Sequence, residues 1–566
     1  MSQSPDRNPA LGALAWRLCA DEKRAPVPVN EPGERLALQP AIGDGRLLAD
    51  ERGVRFADEH AMVLAATEHF LRTETDRLLA SPRACFEQLH DLFTREIGKQ
   101  HHVSGCVLAE LHNAGRLDGF AWGLQAIEAG VGVFDVLHVM EGAVPLFKAA
   151  CGQEIHAFFI GHYERVKNDL VGGILYVKLP PWLAKLPDTA RALQQMHAAS
   201  PQERSANLYA CALHGLILHR FVEGFALALE AARSPTPMVS GPALHMLGLV
   251  DYDNPPHSEA LERVIELCAE IIRTPVHLQL ETATRTLGRL LSSAETRVAP
   301  LLEEAAKTEA PEALYALSEA LFHVQEALRD REWFWPLYLC LAAAKAEHKG
   351  ILDNIDMVLM GWIRHPERQD RALDFLNAWI ARQPLEVIRD AVLEKLFDAT
   401  LHHLKEQPAL LNRAVTAWLL HDDMRYPLVA FQVISRLHES VAKSVALDPE
   451  IIDTLKANEI RFLVRRILGF IVGDDAQIGL IFSLLRTRDA KTRTLALVAE
   501  TLRDHVGYDF PYQTMDYLKE RQAAEGDEDI RALCGEVISE EPPRRLGRPS
   551  EAEGTRPRFC QSTPLR

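Results

Sequence analysis

Histidine is the residue type in this 566-residue chain that offers the most chemistry, because its imidazole ligates metals and exchanges protons near neutral pH. Of the 23 histidines, nine lie between residues 60 and 162. There Glu87 and His90 are three residues apart, which would place both on one helix face, as in helical di-iron sites. Such a site needs a second Glu-x-x-His and two more glutamates, and no second copy occurs in that order. We interpret these histidines as packing or surface residues, and keep a metal site within 60–162 as an alternative.

The remaining motif search favours structure over catalysis. His214 and His219 are five residues apart and fall on different faces of an apolar helical segment over 202–232. His402-His403 adjoins a helix end, where solvated imidazoles are ordinary. The strings GxxxxGK[ST], GxSxG, HExxH, GxGxxG and the EF-hand loop are missing from the sequence. No catalytic residue, metal ligand or cofactor is assigned, and an enzyme is disfavoured without being excluded.

Two segments rich in aromatic residues are candidates for a partner surface. Residues 333–338 (WFWPLY) place four aromatics in six positions, and consecutive side chains cannot all face one side of a helix. Trp and Tyr are enriched at binding hot spots. The candidate contact residues are Trp333, Trp335 and Tyr338, with Tyr176 and Trp182 in the second segment. Packing of the same side chains between repeats is the competing interpretation.

Charge and composition limit the classes of function that the sequence is compatible with. The net charge is −17 and the sequence pI is about 5.8, whereas nucleic-acid binding usually makes a domain basic. The densest basic segment, Arg461 with Arg465-Arg466, precedes Asp474-Asp475, so a solvated or salt-bridged face is expected there. Nine scattered cysteines without a CxxC pair, and no long apolar run, predict a cytoplasmic protein without a membrane span. We expect a protein partner, favour one with a basic surface, and leave the oligomeric state open.

An internal repeat is the strongest pattern in the sequence. The tripeptide Arg-(Ala/Thr)-Leu recurs, and four copies carry an acid four residues before the arginine. The copies are spaced by about multiples of 40 residues, which is the period of stacked helical hairpins. An acid at a helix N-terminus satisfies backbone N–H groups and pairs with an arginine one turn later. The predicted repeat-stabilising pairs are Glu281/Arg285, Glu367/Arg371, Asp489/Arg493 and Asp527/Arg531.

These arginine-led units resemble HEAT repeats, of the armadillo type, in which antiparallel helix pairs stack into a superhelix. Residues 526–535 (GDEDIRALCG) and 489–496 (DAKTRTLA) carry the resemblance best. It implies an all-α solenoid, and it implies that the acid and the arginine tie neighbouring repeats together. The resemblance covers 259–540 and is weak over 56–258. Because proteins of this fold have many functions, it predicts architecture only.

Composition divides the chain into four parts. Residues 1–55 are rich in proline and glycine and are predicted to form an irregular N-terminal arm. Residues 56–258 form an N-terminal helical region with a loop insertion at 172–187, and residues 259–540 form the HEAT-like repeat region. Residues 541–566 have few apolar residues and are predicted to be a disordered C-terminal tail.

The sequence therefore predicts a non-enzymatic α-solenoid that acts as a protein-interaction scaffold or adaptor. Its high arginine and alanine content suggests a bacterial source, and such proteins often act in multi-protein systems such as phage defence or secretion. One alternative is an enzyme or enzyme subunit with a metal site in the histidine-rich region 60–162. A second alternative is a HEAT-like protein that binds nucleic acid through a basic stripe.

Overall fold

The structure is a computed structural model in which almost every described residue of regular secondary structure is α-helical. The described residues are 9–20, 26–29, 31–50, 52–95, 102–166, 173–253, 257–274, 279–390, 393–437, 445–486 and 491–539. They divide into two compact units, which meet in the sequence between Thr308 and Glu309. The strands that are described form one antiparallel hairpin, Leu47–Asp50 (β1) and Gly53–Phe56 (β2). The predicted all-α class is confirmed.

The first unit contains seventeen described α-helices. They are α1 (Pro9–Ala20), α2 (Pro32–Gly43), α3 (Glu59–Leu78), α4 (Pro82–Thr94), α5 (Val103–Asn113), α6 (Gly119–Glu128), α7 (Val133–Ala143), α8 (Gly152–Val166), α9 (Gly173–Tyr176), α10 (Leu179–Leu183), α11 (Pro187–Ala199), α12 (Ala206–His219), α13 (Phe221–Ala232), α14 (Pro237–Leu247), α15 (Ser258–Arg273), α16 (Leu280–Leu290) and α17 (Glu295–Ala306).

Helices in this unit pack on the next helix but one as well as on their immediate neighbour. Helix α1 packs on α3, α3 on α5 and α5 on α7, while α4 packs on α6 and α6 on α8. The pattern continues with α10 on α12, α12 on α14 and α14 on α16. Two alternating layers of helices result, which is the arrangement of a solenoid, in which each hairpin contacts only its neighbours.

The second unit has the same construction. Its helices are α18 (Pro311–Leu328), α19 (Phe334–Cys340), α20 (Lys349–Ile363), α21 (Gln369–Arg382), α22 (Leu385–Asp390), α23 (Leu393–Leu396), α24 (Asp398–Lys405), α25 (Pro408–Leu420), α26 (Arg425–Ile434), α27 (Pro449–Thr454), α28 (Ala457–Phe470), α29 (Asp474–Ser483), α30 (Lys491–Thr501), α31 (Gly507–Asp509), α32 (Pro511–Ala524) and α33 (Glu528–Ser539). Helix α18 packs on α20, α20 on α24, α25 on α28 and α29 on α32. The solenoid fold is thus present in both units.

Hydrogen bonds between residues about one repeat apart hold successive hairpins in register. The indole of Trp182 donates to the Phe147 carbonyl at 2.8 Å, and that of Trp379 donates to the Ala344 carbonyl at the same distance. Each pair is separated by 35 residues, and each carbonyl directly follows a 3₁₀ turn. A buried indole must find an acceptor, so this bond fixes how one hairpin seats on the previous one.

A buried carboxylate also links two helices of neighbouring repeats in the second unit. Asp356, on α20, accepts hydrogen bonds from the backbone amides of Ala399 and Thr400, at 2.9 and 2.8 Å. Its own carbonyl accepts from the Thr400 hydroxyl at 3.1 Å. The first amides of a helix have no partner within that helix, so Asp356 caps α24 from a neighbouring repeat.

Local sequence explains where many helices begin. Asp58, Ser81 and Asp118 are N-caps whose side chains accept backbone amides of α3, α4 and α6. Several helices have proline as the first helical residue, where a missing N–H costs nothing. These are Pro32, Pro82, Pro187, Pro237, Pro311, Pro408, Pro449 and Pro511. No helix of the described chain is long and apolar enough to cross a bilayer.

The described helices and the compact units differ in detail from three of the predicted segments. Residues 1–55 include α1, α2 and β1, and 172–187 include the short helices α9 and α10. Their proline content predicts irregular structure, but Pro32 and Pro180 lie in the first turns of helices, which accept proline. The division between the compact units falls after Thr308 instead of after residue 258. The predicted disordered tail, 541–566, lies outside the described residues.

Candidate protein-binding groove

A groove in the first unit lies between α11 and α13, with the end of α12 at its base. We call it the elbow groove, and its volume is about 550 Å³. The lining residues are Pro187, Asp188, Arg191, Leu216, His219, Arg220, Glu223, Gly224, Ala226, Leu227 and Glu230. A cleft of this size is within the range of ordinary ligand sites.

A sharp bend between two helices creates the groove. Helix α12 ends at His219, α13 begins at Phe221, and Arg220 between them has an extended backbone, with φ −145° and ψ 101°. The helical segment predicted over 202–232 is therefore broken at Arg220. Helix α13 starts immediately after the bend, with a hydrogen bond from the Gly224 amide to the Arg220 carbonyl at 2.9 Å.

Gly224 permits this bend because α13 passes directly over the backbone of α12. A Cβ atom at position 224 would lie 2.5 Å from both the Ile217 nitrogen and the Leu216 carbonyl carbon. Backbone atoms cannot move aside as a flexible side chain can, so any larger residue would push the two helices apart. On the other side of the bend, His219 Nδ1 lies 2.9 Å from the Ala184 carbonyl, which anchors the end of α12 to the preceding repeat.

The groove combines an apolar base with charges of both signs at its rim. Leu216 is buried and Leu227 is partly buried, whereas Asp188, Arg191 and Glu230 are exposed. Across the bend Arg220 pairs with Glu223 at 3.1 Å, an exposed ion pair that a ligand can displace cheaply. Two exposed apolar residues flank the bend, namely Leu218 at 52% and Val222 at 80% exposure.

The polar side chains of this lining are three carboxylates, two guanidinium groups and one imidazole. Its one imidazole, on His219, is engaged with the Ala184 carbonyl. An apolar base with a few charged side chains at the edges can hold apolar and charged side chains of a peptide at the same time.

Of the five predicted aromatic contact residues, two are buried in the core and three are partly exposed. Trp182 and Tyr338 are each 1% exposed, so neither offers a surface in this structure. The Tyr338 hydroxyl donates to the Ile355 carbonyl at 3.3 Å. Tyr176, Trp333 and Trp335 are partly buried, and none of the five predicted residues lines the elbow groove. Inter-repeat packing, the competing interpretation, accounts for Trp182 and Tyr338.

The four predicted acid–arginine pairs behave differently from one another. Glu281 and Arg285 form the predicted ion pair at 3.0 Å. Glu367 lies 3.7 Å from Arg368, while Arg371 lies over the Trp335 ring, 6.0 Å from its centroid.

At the last repeat the acid and the arginine have separate partners. The Asp527 carboxylate accepts the amides of Asp529 and Ile530 at the start of α33. Arg531 donates to the Glu525 carbonyl. Asp489 and the side chain of Arg493 lie outside the described residues.

The histidine-rich region holds stacked rings. His138 stacks on His90 and on Phe93, with ring centroids 6.3 and 5.1 Å apart, and Phe93 also stacks on His102 at 5.1 Å. His90 Nε2 lies 3.4 Å from Asp135. Among the described residues, no three metal-ligating side chains of region 60–162 converge, but His101 and the side chain of His162 lie outside that part of the chain.

A group of three potential ligands does occur in the second unit, at the end of α24. Donor atoms of His402, His403 and Glu406 all lie within 4.8 Å of one another. However, Arg364 Nη2 lies 2.5 Å from His403 Nε2, and His403 Nδ1 lies 2.7 Å from a Glu406 oxygen.

The position of Arg364 decides against a metal in this geometry. An arginine only donates hydrogen bonds, so His403 Nε2 is the acceptor and Nδ1 carries the proton that Glu406 accepts. A metal on Nδ1 would require the opposite tautomer, with an N–H facing the guanidinium. The group is therefore a hydrogen-bonded chain, and the bond from His403 lowers the pKa of Glu406.

The buried His197 and the partly buried His245 link repeats, and neither stands out in the sequence. His197 Nε2 lies 2.8 Å from the Met238 carbonyl and its Nδ1 lies 2.7 Å from Ser205 Oγ, while burial lowers its pKa. Burial, with Arg289 and Arg285 nearby, lowers the pKa of His245 to about 4. Both imidazoles are thus neutral at physiological pH. Their 41- and 44-residue separations from Met238 and Arg289 are the only sequence signal for such links.

Comparisons with known proteins identify no family. No protein-family model matches the chain, and no curated protein matches it. Similar solved structures include an engineered protein (13% identity, 83% of this chain and 100% of that chain, TM-score 0.19). A chain of the Pds5–Scc1 complex is 11% identical, with 94% of this chain and 85% of that chain covered and a TM-score of 0.27. A chain from a study of cadherin and β-catenin is 14% identical, with 85% of this chain and 96% of that chain covered and a TM-score of 0.19. At these TM-scores they add nothing to the fold that the helix packing defines.

Proposed function

We propose that this protein is a non-enzymatic scaffold or adaptor that binds a segment of another protein in the elbow groove. The observation that carries the proposal is the groove between α11 and α13, with its volume of about 550 Å³, apolar base and charged rim. An extended peptide can place one apolar side chain against Leu216 and Leu227 while its polar groups meet the rim. The exposed Leu218 and Val222 would extend the apolar contact beyond the groove.

The charges of the groove support a partner segment with net positive charge. Three carboxylates, those of Asp188, Glu223 and Glu230, line the groove against the two guanidinium groups of Arg191 and Arg220. The whole chain also carries a net charge of −17, which would steer a basic partner towards it. Charges at a rim chiefly set the association rate and the choice of partner, while the apolar base supplies more of the affinity.

Finer parts of the proposal rest on the sequence. The repeats are of the HEAT-like, armadillo-type class, as the acidic residues before Arg285 and Arg531 suggest. The protein works in the cytoplasm within a bacterial multi-protein system such as phage defence or secretion. Tyr176, Trp333 and Trp335 retain partial exposure and are secondary candidates for contact with a partner.

The test is a purification of the tagged full chain from source cells, with bound proteins identified by mass spectrometry. The groove variant is Glu223→Lys/Glu230→Lys, which reverses two of the carboxylates that face a basic segment, and the control is Glu266→Lys/Glu270→Lys. The control makes the same charge change at exposed positions of the first unit outside the groove. We expect one stoichiometric protein with the wild type and the control, and at least tenfold less with the groove variant.

Two results would contradict the proposal. One is a chain that purifies without a protein partner, and the other is equal recovery of the partner by the groove variant. Metal analysis of the same preparation tests the enzyme alternative, since stoichiometric iron, manganese or zinc would favour it. Recovery of nucleic acid that is released by salt would favour the nucleic-acid alternative.

A further inference from the structure

A second candidate surface lies on the second unit and is centred on Arg466. The guanidinium of Arg466 lies over the Phe462 ring, 4.8 Å from its centroid, and over the Phe470 ring at 5.5 Å. The same group lies 2.9 Å from the sulfur of Met424. Residues four apart on a helix are neighbours, so α28 presents a Phe–Arg–Phe ladder along one face. We call Met424, Phe462, Arg466, Phe470 and Val472 the arginine–aromatic patch.

The patch is apolar and accessible at both of its ends. Met424 is 44% exposed and Val472 is 60% exposed, while the two phenylalanines are partly buried. Isolated exposed apolar side chains need no explanation, but a contiguous group around one cation is a feature of binding surfaces. Arginine and aromatic residues are the types enriched at the centres of protein interfaces.

Two more arginines give this surface a local positive charge. Arg461 and Arg465 are both exposed and lie one turn apart on α28, beside the patch. Within the described part of the chain, neither forms an ion pair with a carboxylate. The nearest acid in the sequence is Glu459, in the first turn of the same helix, and its carboxylate accepts the Lys456 amide at 2.7 Å. A protein with net charge −17 thus carries three arginines within six positions of one helix.

The geometry favours an acidic protein segment over nucleic acid. Single-stranded nucleic acid is held by bases that stack on aromatic faces. Here Arg466 lies over a face of both Phe462 and Phe470, so those faces are already in use. The remaining exposed groups are Met424 and Val472, which suit aliphatic side chains, with Arg461 and Arg465 beside them for carboxylates.

The length of the patch indicates the size of the occupant. Residues 461–470 span nine helical steps, or about 14 Å at 1.5 Å per residue, and Val472 follows just past the end of α28. About three turns of a partner helix cover the same distance, which brings apolar residues at i, i+3 and i+7 onto the patch. Acidic residues on the adjacent face of that helix would then meet Arg461 and Arg465.

We infer that the arginine–aromatic patch of α28 docks an acidic amphipathic segment of a partner protein. This site is on the second unit, and its acidic occupant has a charge opposite to that of the basic segment proposed for the elbow groove. One chain would then hold a basic segment on its first unit and an acidic one on its second, which is the behaviour of an adaptor. The inference does not depend on the elbow groove, because either site can fail alone.

The test uses a fluorescein-labelled synthetic peptide and fluorescence anisotropy with the full chain. The probe is an 18-residue amphipathic helix design (~5 turns) with Leu and Phe on one face and Glu on the other. A matched peptide carries Lys in place of every Glu. The binding variants are Arg461→Glu/Arg465→Glu and Val472→Asp. The control is Arg389→Glu/Lys395→Glu, which makes the same charge change at exposed positions of other helices in the unit.

We expect the acidic peptide to bind the wild type and the control equally, within twofold. The double arginine variant should weaken binding at least tenfold, and Val472→Asp at least fivefold, with circular dichroism unchanged for both. The lysine peptide should bind at least tenfold more weakly than the acidic one. The inference is overturned if the acidic peptide does not bind, if the arginine variant binds it within twofold of wild type, or if a labelled oligothymidylate binds while the peptide does not.

Discussion

Replacing Gly224 by alanine should destabilise the first unit, although alanine is the better helix former. In an unconstrained helix the change would stabilise by roughly 0.5–1 kcal/mol. Here the new Cβ would lie 2.5 Å from two backbone atoms of α12, at Ile217 and Leu216. Overpacking of this kind costs about 1–3 kcal/mol, because the helices must separate. The steric cost exceeds the gain, so we expect a net loss of about 1–2 kcal/mol.

A matched control separates the steric effect from helix propensity. Gly361 lies inside α20, and a Cβ there would meet nothing within 4 Å. Gly361→Ala should therefore leave stability unchanged or raise it by up to about 1 kcal/mol. Both variants can be compared with the wild type by urea unfolding, followed by far-UV circular dichroism. The midpoint should fall for Gly224→Ala and should stay the same or rise for Gly361→Ala.

The same substitution should also disturb the groove. Widening the angle between α12 and α13 moves Leu227 away from Leu216, so partner recovery should fall with Gly224→Ala and not with Gly361→Ala. If Gly224→Ala were as stable as the wild type and bound the partner equally, the account of the elbow would be wrong.

Three further predictions concern the ties between repeats. Asp356→Ala leaves two backbone amides without their acceptor, so it should lower the free energy of unfolding by about 2–4 kcal/mol. The control Asp353→Ala, at an exposed position, should lower it by less than about 0.5 kcal/mol. Urea unfolding measures both. Because the pKa of His245 falls from 6.5 to about 4 in the folded chain, its contribution is present above pH 6.5 and is lost between pH 6.5 and 4. That loss of stability is up to about 3 kcal/mol, so His245→Gln should flatten the plot of unfolding free energy against pH between pH 6.5 and 4. A plot unchanged by the substitution would refute this role of His245. Arg364→Ala removes the donor from His403 Nε2, so this variant should bind zinc at least tenfold more tightly than the wild type in a zinc titration. Equal affinities would contradict the tautomer assigned to His403.

The sequence predicts the fold well because the relevant signals are local. Helical periodicity, the acid–arginine repeat and prolines at helix starts all operate within one or two turns, and they sufficed for an all-α solenoid. Prolines in the first 55 residues misled the prediction for the same reason. Pro32 is compatible with a first turn, and only the backbone shows that it begins a helix and does not break one.

The binding surfaces were harder to predict because they depend on packing between helices. Nothing in the local pattern shows that Arg220 is extended or that Gly224 faces the backbone of α12. Aromatic residues were chosen by type, yet the buried Trp182 serves as an anchor between repeats. Arg371 was assigned to Glu367 by spacing, whereas its neighbour in space is Trp335.

Hydrogen–deuterium exchange of the purified complex tests the central claim most directly. The chain is compared with and without its captured protein partner, and protection is mapped by peptide. The account predicts slowed exchange in residues 187–191 and 216–230, which line the elbow groove, with the partner bound. Protection that leaves both of these segments unchanged would contradict the assignment of the elbow groove as the protein-binding site.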